Sequence, residues 1–247
     1  MDIKQYLDST YLKTAEQAGL SEEENNRLVV NCIQEAIDEQ FKLVMIRPDK
    51  VALAQKLREL QKSQLKIGTV IDFPSGISSI DEKLVEAQQA INDGADELDF
   101  VCNYKAFQNG DTELVKNEIF LGTALALQHH KVVKWIIEVA ALTEKEIIQL
   151  SSLIKNVVVS QFEQEHFCAV FVKSSTGFFV TENGLPNGAT IPAIKMMLEN
   201  AAPLPVKAAG GVRTYEEAVD MINLGVKRIG TSGAKLIAAG QNNTNEY

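Results

Sequence analysis

The chain has 247 residues, 45% of them hydrophobic and 23% charged, enough to bury one large α/β core or two smaller ones. Its 24 basic against 33 acidic residues leave a net charge of −9, which argues against a nucleic-acid partner, because a phosphate backbone selects a basic face. No apolar stretch approaches the roughly 18 residues of a membrane span, and the N-terminal MDIKQYLDST lacks an apolar targeting core, so no membrane partner and a cytoplasmic location are expected.

A first strand is expected near YLDSTYL (6–12). It is followed by FKLVMI (41–46), KIGTVIDF (66–73), ELDFVC (97–102), KVVKWIIEV (131–139), FCAVFVKS (167–174), PVKAAG (205–210) and KRIGT (227–231), each short and rich in apolar or β-branched residues. Helical spacing fills the intervals, over 22–39, 49–62, 79–93, 111–129, 143–155, 190–200, 214–224 and 232–240. Ser21, Ser79, Thr143 and Thr214 stand before acidic residues as helix start signals, and Gly94 and Gly225 mark helix ends. Eight strand and helix units in this length predict an α/β fold of the (β/α)8 TIM barrel type. No Pro, Gly or Ser-rich linker divides them, so one domain over 1–247 is expected, with a polar tail at about 241–247. An open doubly wound sheet is the structural rival, but no Gly-x-Gly-x-x-Gly follows an early strand.

Charged residues at strand ends point to the catalytic face of such a barrel. Two lysines stand out, Lys173 in FVKSSTG (171–177) and Lys207 in VKAAGG (206–211), each closing an apolar run. On neighbouring strands their ammonium groups would disfavour double protonation. A lysine nucleophile must be neutral, and at an ordinary pKa only roughly one in a few thousand is neutral at pH 7. Asp99, on the same strand face as Glu97 and Val101, needs a partner and would keep the second lysine charged. Strand-end lysines held only in salt bridges are the bland alternative; the pairing with Asp99 and the glycines after both lysines favour a Schiff-base enzyme. Those glycines, Gly177, Gly210, Gly211 and Gly230, with Ser232, offer backbone N–H groups after the sixth, seventh and eighth strands, where this fold often cradles phosphate.

The motifs LDSTYL (7–12), DFPSG (72–76), KLVEAQQAINDGADELDFVCN (83–103), KWIIEVAALT (134–143), FVKSSTGF (171–178), VKAAGGVRT (206–214) and RIGTSG (228–233) resemble the deoxyribose-phosphate aldolase family over nearly the whole chain. The resemblance implies a TIM-barrel class I aldolase that reversibly cleaves 2-deoxy-D-ribose 5-phosphate to acetaldehyde and D-glyceraldehyde 3-phosphate, with no metal and no other cofactor. Its partner would be a small phosphorylated sugar, and a homodimer is the implied assembly. By the same resemblance Lys173 is the Schiff-base lysine, Lys207 the lysine that perturbs it, and Asp99 a member of the proton relay. Gly177, Gly210, Gly211, Gly230 and Ser232 match phosphate-binding positions, and Asp8 a position supporting the polar network.

Four positions depart from the family pattern: Met45 for cysteine, Val139 for threonine, Ser174 for threonine and Gly233 for a second serine. None is catalytic, and they bear on rate and substrate breadth. Other enzyme and non-enzyme readings are a Schiff-base aldolase acting on a ketose phosphate and a silent sugar-phosphate sensor. Cys32, Cys102 and Cys168 are spaced for neither zinc nor a disulfide framework and are read as reduced core thiols. His129, His130 and His166 are read as solvated, Trp135 as barrel packing, and Lys134 as either lining the site or pairing with Glu138. The tail is expected to be disordered, with Tyr247 reaching the site as the alternative.

Overall fold

The computed structural model describes residues 2–240, so the expectations for the tail and Tyr247 lie outside the described residues. Eight parallel strands close into a barrel in simple sequential order: β1 (Leu7–Thr10), β2 (Leu43–Ile46), β3 (Lys66–Ile71), β4 (Glu97–Val101), β5 (Val132–Ile136), β6 (Val170–Lys173), β7 (Val206–Ala209) and β8 (Arg228–Thr231). Closure is made by β8 on β1, with Asp8 level with Gly230. The helices are α1 (Ala15–Ala18), α2 (Glu22–Asp38), α3 (Val51–Leu60), α4 (Ile80–Asn92), α5 (Tyr104–Gln108), α6 (Thr112–Gln128), α7 (Glu144–Gln161), α8 (Ile191–Ala201), α9 (Tyr215–Leu224) and α10 (Ala234–Ala238).

The four expected start signals are all N-caps. Ser21, Ser79, Thr143 and Thr214 each accept from the backbone N–H three residues on, and Glu24, Glu82, Glu146 and Glu217 return the bond, closing capping boxes on α2, α4, α7 and α9. Two short helices, α1 and α5, carry too few turns to show a period. Helix α7 runs six residues past its expected end at 155, to Gln161. The valines at 157–159 resemble a strand, yet Val157 and Val158 are buried on the helix face, so packing overrides propensity. Residues Gln164–Ala169 form a 3-10 helix where the sixth strand was expected to begin.

Strand residues facing outward pack on the helices. Trp135 on β5 is fully buried, its ring 5.0 Å from that of Phe100 on β4, and its indole N–H donates to the Thr123 hydroxyl of α6 at 3.0 Å. Gly122 of α6 lies under the same indole. Of the cysteines, all free, Cys102 is buried and Cys32 partly so, whereas Cys168 is exposed, against the expectation of a core thiol, because it lies on the 3-10 turn ahead of β6. No helix among the described residues is long and apolar enough to cross a membrane.

Gly122→Ala decides between two effects of opposite sign. Alanine in a helix interior gains up to about 1 kcal/mol over glycine, but the new Cβ would stand 2.8 Å from Trp135 Cη2, a rigid ring with no room to move. Overpacking of this kind costs about 1–3 kcal/mol, so chemical denaturation should show a net loss of stability.

Candidate active site

The barrel interior is divided. On one side Leu43 and Met45 of β2, Val70 of β3 and Leu12 form an apolar cluster, against which Phe73 and Phe178 pack, their rings edge to face with each other at 5.0 Å. On the other, charged side chains from six strands meet across the axis. Asp99 on β4 accepts from Lys134 at 2.5 Å through Oδ1, and from Lys173 at 2.9 Å and Lys207 at 3.0 Å through Oδ2. Lys207 also lies 2.6 Å from Asp8, and Lys134 2.7 Å from Glu97. Arg228 on β8 closes the network, donating from Nε to Asp8 at 2.7 Å and from Nη1 to Glu97 at 3.0 Å. Strands β4 and β8 are not neighbours, so Glu97 and Arg228 meet only through the interior.

Lys173, Lys207 and Asp99 thus come together as expected, and β6 places Lys173 level with Lys207 on β7. Asp8 supports the network by holding Lys207 and Arg228. Lys134 lines the site and does not pair with Glu138: its register on β5 sets it beside Asp99, and its amine reaches Asp99 and Glu97. Arg228 and Glu97 were not foreseen as partners. The alternation of Arg228 with Gly230 on one strand, and of Glu97 with Asp99 on another, is the signal that carried them.

Burial of an ion costs several kcal/mol even after relaxation, so a dry interior favours charge balance. Here three carboxylates, Asp8, Glu97 and Asp99, face four cations, Lys134, Lys173, Lys207 and Arg228. One cation is in excess, and the contacts decide which. Lys134, Lys207 and Arg228 each touch two carboxylates, whereas Lys173 touches Asp99 alone, through an oxygen it shares with Lys207. Burial, assisted by repulsion from Lys207 and Lys134 and opposed by Asp99, lowers the Lys173 pKa to about 8. The Lys134 ammonium is held above its ordinary value, because Asp99 and Glu97 outweigh its burial. Asp99 is burial-opposed too, yet its three lysines hold it well below the usual carboxylate range.

Beside this network lies a cleft of about 530 Å3, lined by all five expected phosphate positions, Gly177, Gly210, Gly211, Gly230 and Ser232, and by Arg213. Gly177, Gly210 and Gly211 have φ of +81, +80 and +85°, conformations that a side chain would strain. The loop after β6 folds back over β7: Ala189 N–H donates to Gly210 O at 2.8 Å, and a Cβ on Gly188 would fall 2.2 Å from that oxygen. Lys173 does not itself line the cleft. Gly230 joins the two regions, for a Cβ there would lie 3.1 Å from Lys207 Cε. Arg213 and Gly188 escaped sequence reasoning because a loop's return path leaves no periodicity.

The departures from the family pattern sit around this centre. Met45 belongs to the apolar half of the interior, Val139 donates its N–H to Ser174 O at 2.9 Å, and the Ser174 hydroxyl bonds Ala209 O at 2.8 Å. Gly233 is the N-cap of α10 and bonds the Thr231 hydroxyl through its N–H at 3.1 Å.

Fold and site together have the form of a lysine-centred (β/α)8 enzyme, with an amine able to add to a carbonyl group. Residues 14–242 match the DeoC/LacD family aldolase profile, and the chain belongs to that family. Deoxyribose-phosphate aldolase of Thermococcus gammatolerans is 38% identical over 244 residues, 98% of each chain. The solved structure of QR15, an aldolase, matches with a TM-score of 0.79 at 30% identity, over 97% of this chain and 95% of that one. Deoxyribose phosphate aldolase from Aeropyrum pernix, described as uniquely tetrameric, matches with a TM-score of 0.75 at 29% identity, over 96% and 89%.

Lys207→Leu removes an ammonium neighbour of Lys173 and leaves Asp99 to hold its proton more strongly. The pH at which Lys173 becomes reactive toward an aldehyde, read by borohydride trapping across a pH series, should rise by about one unit or more. An unchanged profile contradicts the pairing.

Proposed function

We propose that the chain is a class I aldolase that reversibly cleaves 2-deoxy-D-ribose 5-phosphate to acetaldehyde and D-glyceraldehyde 3-phosphate, with Lys173 as its Schiff-base residue. The observation that carries this reading is the amine of Lys173, buried, left short of counter-charge and adjacent to a glycine-lined cleft of sugar-phosphate size. With a pKa of about 8, about one amine in ten is neutral at pH 7. At the ordinary value the fraction is roughly one in three thousand, so the environment removes roughly 3 kcal/mol from the barrier to attack.

The neutral amine adds to the substrate carbonyl carbon, and loss of water gives an iminium. Its positive nitrogen draws the electrons of the C2–C3 bond as that bond breaks, the C3 hydroxyl gives its proton to the relay as its oxygen becomes a carbonyl, and D-glyceraldehyde 3-phosphate leaves. Protonation of the resulting enamine and hydrolysis return acetaldehyde and the free amine. Asp99 and Lys207 are the proton relay at the carbon centre. Asp99 is too weak a base to work alone, so its part is to orient the ammonium groups while Lys207 exchanges protons. Gly177, Gly210, Gly211, Gly230 and Ser232 hold the phosphate, with Arg213 at the rim, and so fix the reacting carbon over Lys173. Leu43, Met45 and Val70 give the interior an apolar wall opposite the lysines.

A cytoplasmic location and assembly as a homodimer belong to the same reading, on the strength of the family resemblance. Light scattering would return twice the 27.2 kDa chain mass for a dimer.

Incubation with acetaldehyde and borohydride, followed by peptide mapping, should place an ethyl group on Lys173, and the untreated protein should cleave 2-deoxy-D-ribose 5-phosphate. A protein without the adduct is no Schiff-base aldolase; an adduct without that cleavage assigns a different substrate. Gly188→Ala, which forces the β6 loop away from Gly210, should raise KM for the phosphate ester on the order of tenfold, a loss of about 1.4 kcal/mol. The KM for unphosphorylated deoxyribose should change far less.

A further inference from the structure

Among the described residues, Glu138 is the one acidic group beside Lys173 that stands outside the ion network. It follows β5, two residues beyond Ile136, which is level with Lys173, and is 1% exposed. Ile137 N–H donates to Lys173 O at 3.0 Å and Val139 N–H to Ser174 O at 2.9 Å, so the backbone on both sides of Glu138 is tied to the segment bearing the lysine. Its own backbone is left-handed, with φ 57° and ψ 67°. A residue other than glycine held there costs about 1–3 kcal/mol, and such strain gathers where a side chain must be aimed. One carboxylate oxygen, Oε2, accepts from Thr176 N–H at 3.2 Å and from the Thr176 hydroxyl. The other, Oε1, is buried and has no hydrogen-bond partner. An unsatisfied carboxylate oxygen in a protein interior is costly and calls for a reason.

We infer that Glu138 is a further catalytic residue, the acid that protonates the departing hydroxyl when the carbinolamine on Lys173 loses water, and the base that takes that proton back in hydrolysis. The inference rests on the Schiff-base reading of Lys173. In the forward step the nitrogen lone pair forms the C=N bond, the C–O bond breaks, and the oxygen leaves as water with the proton from Glu138. The products are an iminium cation and the Glu138 carboxylate.

Charge balance favours this group over Asp99. With Lys173 neutral, the three carboxylates of the interior match Lys134, Lys207 and Arg228. An iminium adds one positive charge that none of them can offset, and a carboxylate formed at Glu138 in the same step offsets it. Asp99, held ionised by three lysines, has no proton to give at neutral pH. Glu138 is poised differently: burial pushes its pKa up to about 7, against the Thr176 hydrogen bonds and the charge of Lys173. The titratable groups that face it are Lys173 from β6 and Tyr104 from α5, whose phenol is raised by burial and by the Glu138 charge. Two carboxyl groups whose surroundings drive their pKa values apart commonly divide the acid and base work of a site.

The test is rapid mixing with acetaldehyde and quenching into borohydride at successive times, which reads the rate at which Lys173 becomes trapped. In the parent that rate should rise with pH as Lys173 deprotonates and fall again as Glu138 ionises. Glu138→Gln, which preserves shape and the acceptor for Thr176, should slow trapping at pH 7 on the order of a hundredfold and abolish the alkaline fall. Equal rates and profiles in the two proteins overturn the inference and leave the aldolase reading intact. A slower rate with the same alkaline fall assigns Glu138 a structural part and also overturns it, whereas a parent that forms no adduct overturns the aldolase reading itself. Should Glu138→Gln fail to fold, Thr176→Val decides. Loss of the hydroxyl that favours the ionised carboxyl moves the alkaline fall to higher pH, and an unmoved fall counts against Glu138.

Discussion

Asp99 accepts three ammonium groups at once, Lys134 at 2.5 Å, Lys173 at 2.9 Å and Lys207 at 3.0 Å, and much of the rest of the site follows from that sharing. A single buried carboxylate cannot neutralise three lysines. Two of them are completed by other carboxylates, Glu97 for Lys134 and Asp8 for Lys207, and Arg228 ties those two acids together across the barrel. Lys173 has no second carboxylate. The proposed Schiff-base amine is therefore singled out by what its neighbours already hold, and the network behind it is the means by which one lysine among three gives up its proton more readily.

The same barrel separates chemistry from positioning. Charged residues occupy the interior wall formed by β1 and β4 to β8, while β2 and β3 contribute Leu43, Met45 and Val70. The cleft proposed for phosphate lies outside both, in loops after β6, β7 and β8, where bare backbone and the Gly188 to Gly210 contact build it. Gly230 is the hinge of this division, since its lack of a side chain leaves room for Lys207 on one side and borders the cleft on the other. An acidic protein can hold a phosphate in this way because backbone dipoles, with a single arginine, replace a basic surface.

The barrel was legible from strand alternation and helix capping, because both are local: Ser79 and Glu82, or Thr214 and Glu217, carry their structural meaning within four residues. Lys173, Lys207 and Asp99 were legible too, since a charge at the end of a buried strand demands a partner. The partners were harder. Arg228 reaches Glu97 across 131 residues of sequence, a contact that exists only because β8 returns to β1. Lys134 was open to either lining the site or pairing with Glu138, four residues on; the chain turns left-handed at Glu138 and sends the carboxyl and amine groups to different neighbours. Helix α7 was cut short for the reason that packing, not propensity, decides where Val157 and Val158 belong.

The central claim is that the interior set lowers the Lys173 amine to titrate near pH 8 while Lys134 stays charged above it. An NMR titration of the protein carrying 13C-labelled lysine, with Lys173→Met to assign the signal, measures it directly. A Lys173 amine titrating near pH 8, with Lys134 still protonated well above that, is the predicted result. A Lys173 signal that titrates with the ordinary lysines near about 10.4 would contradict the account.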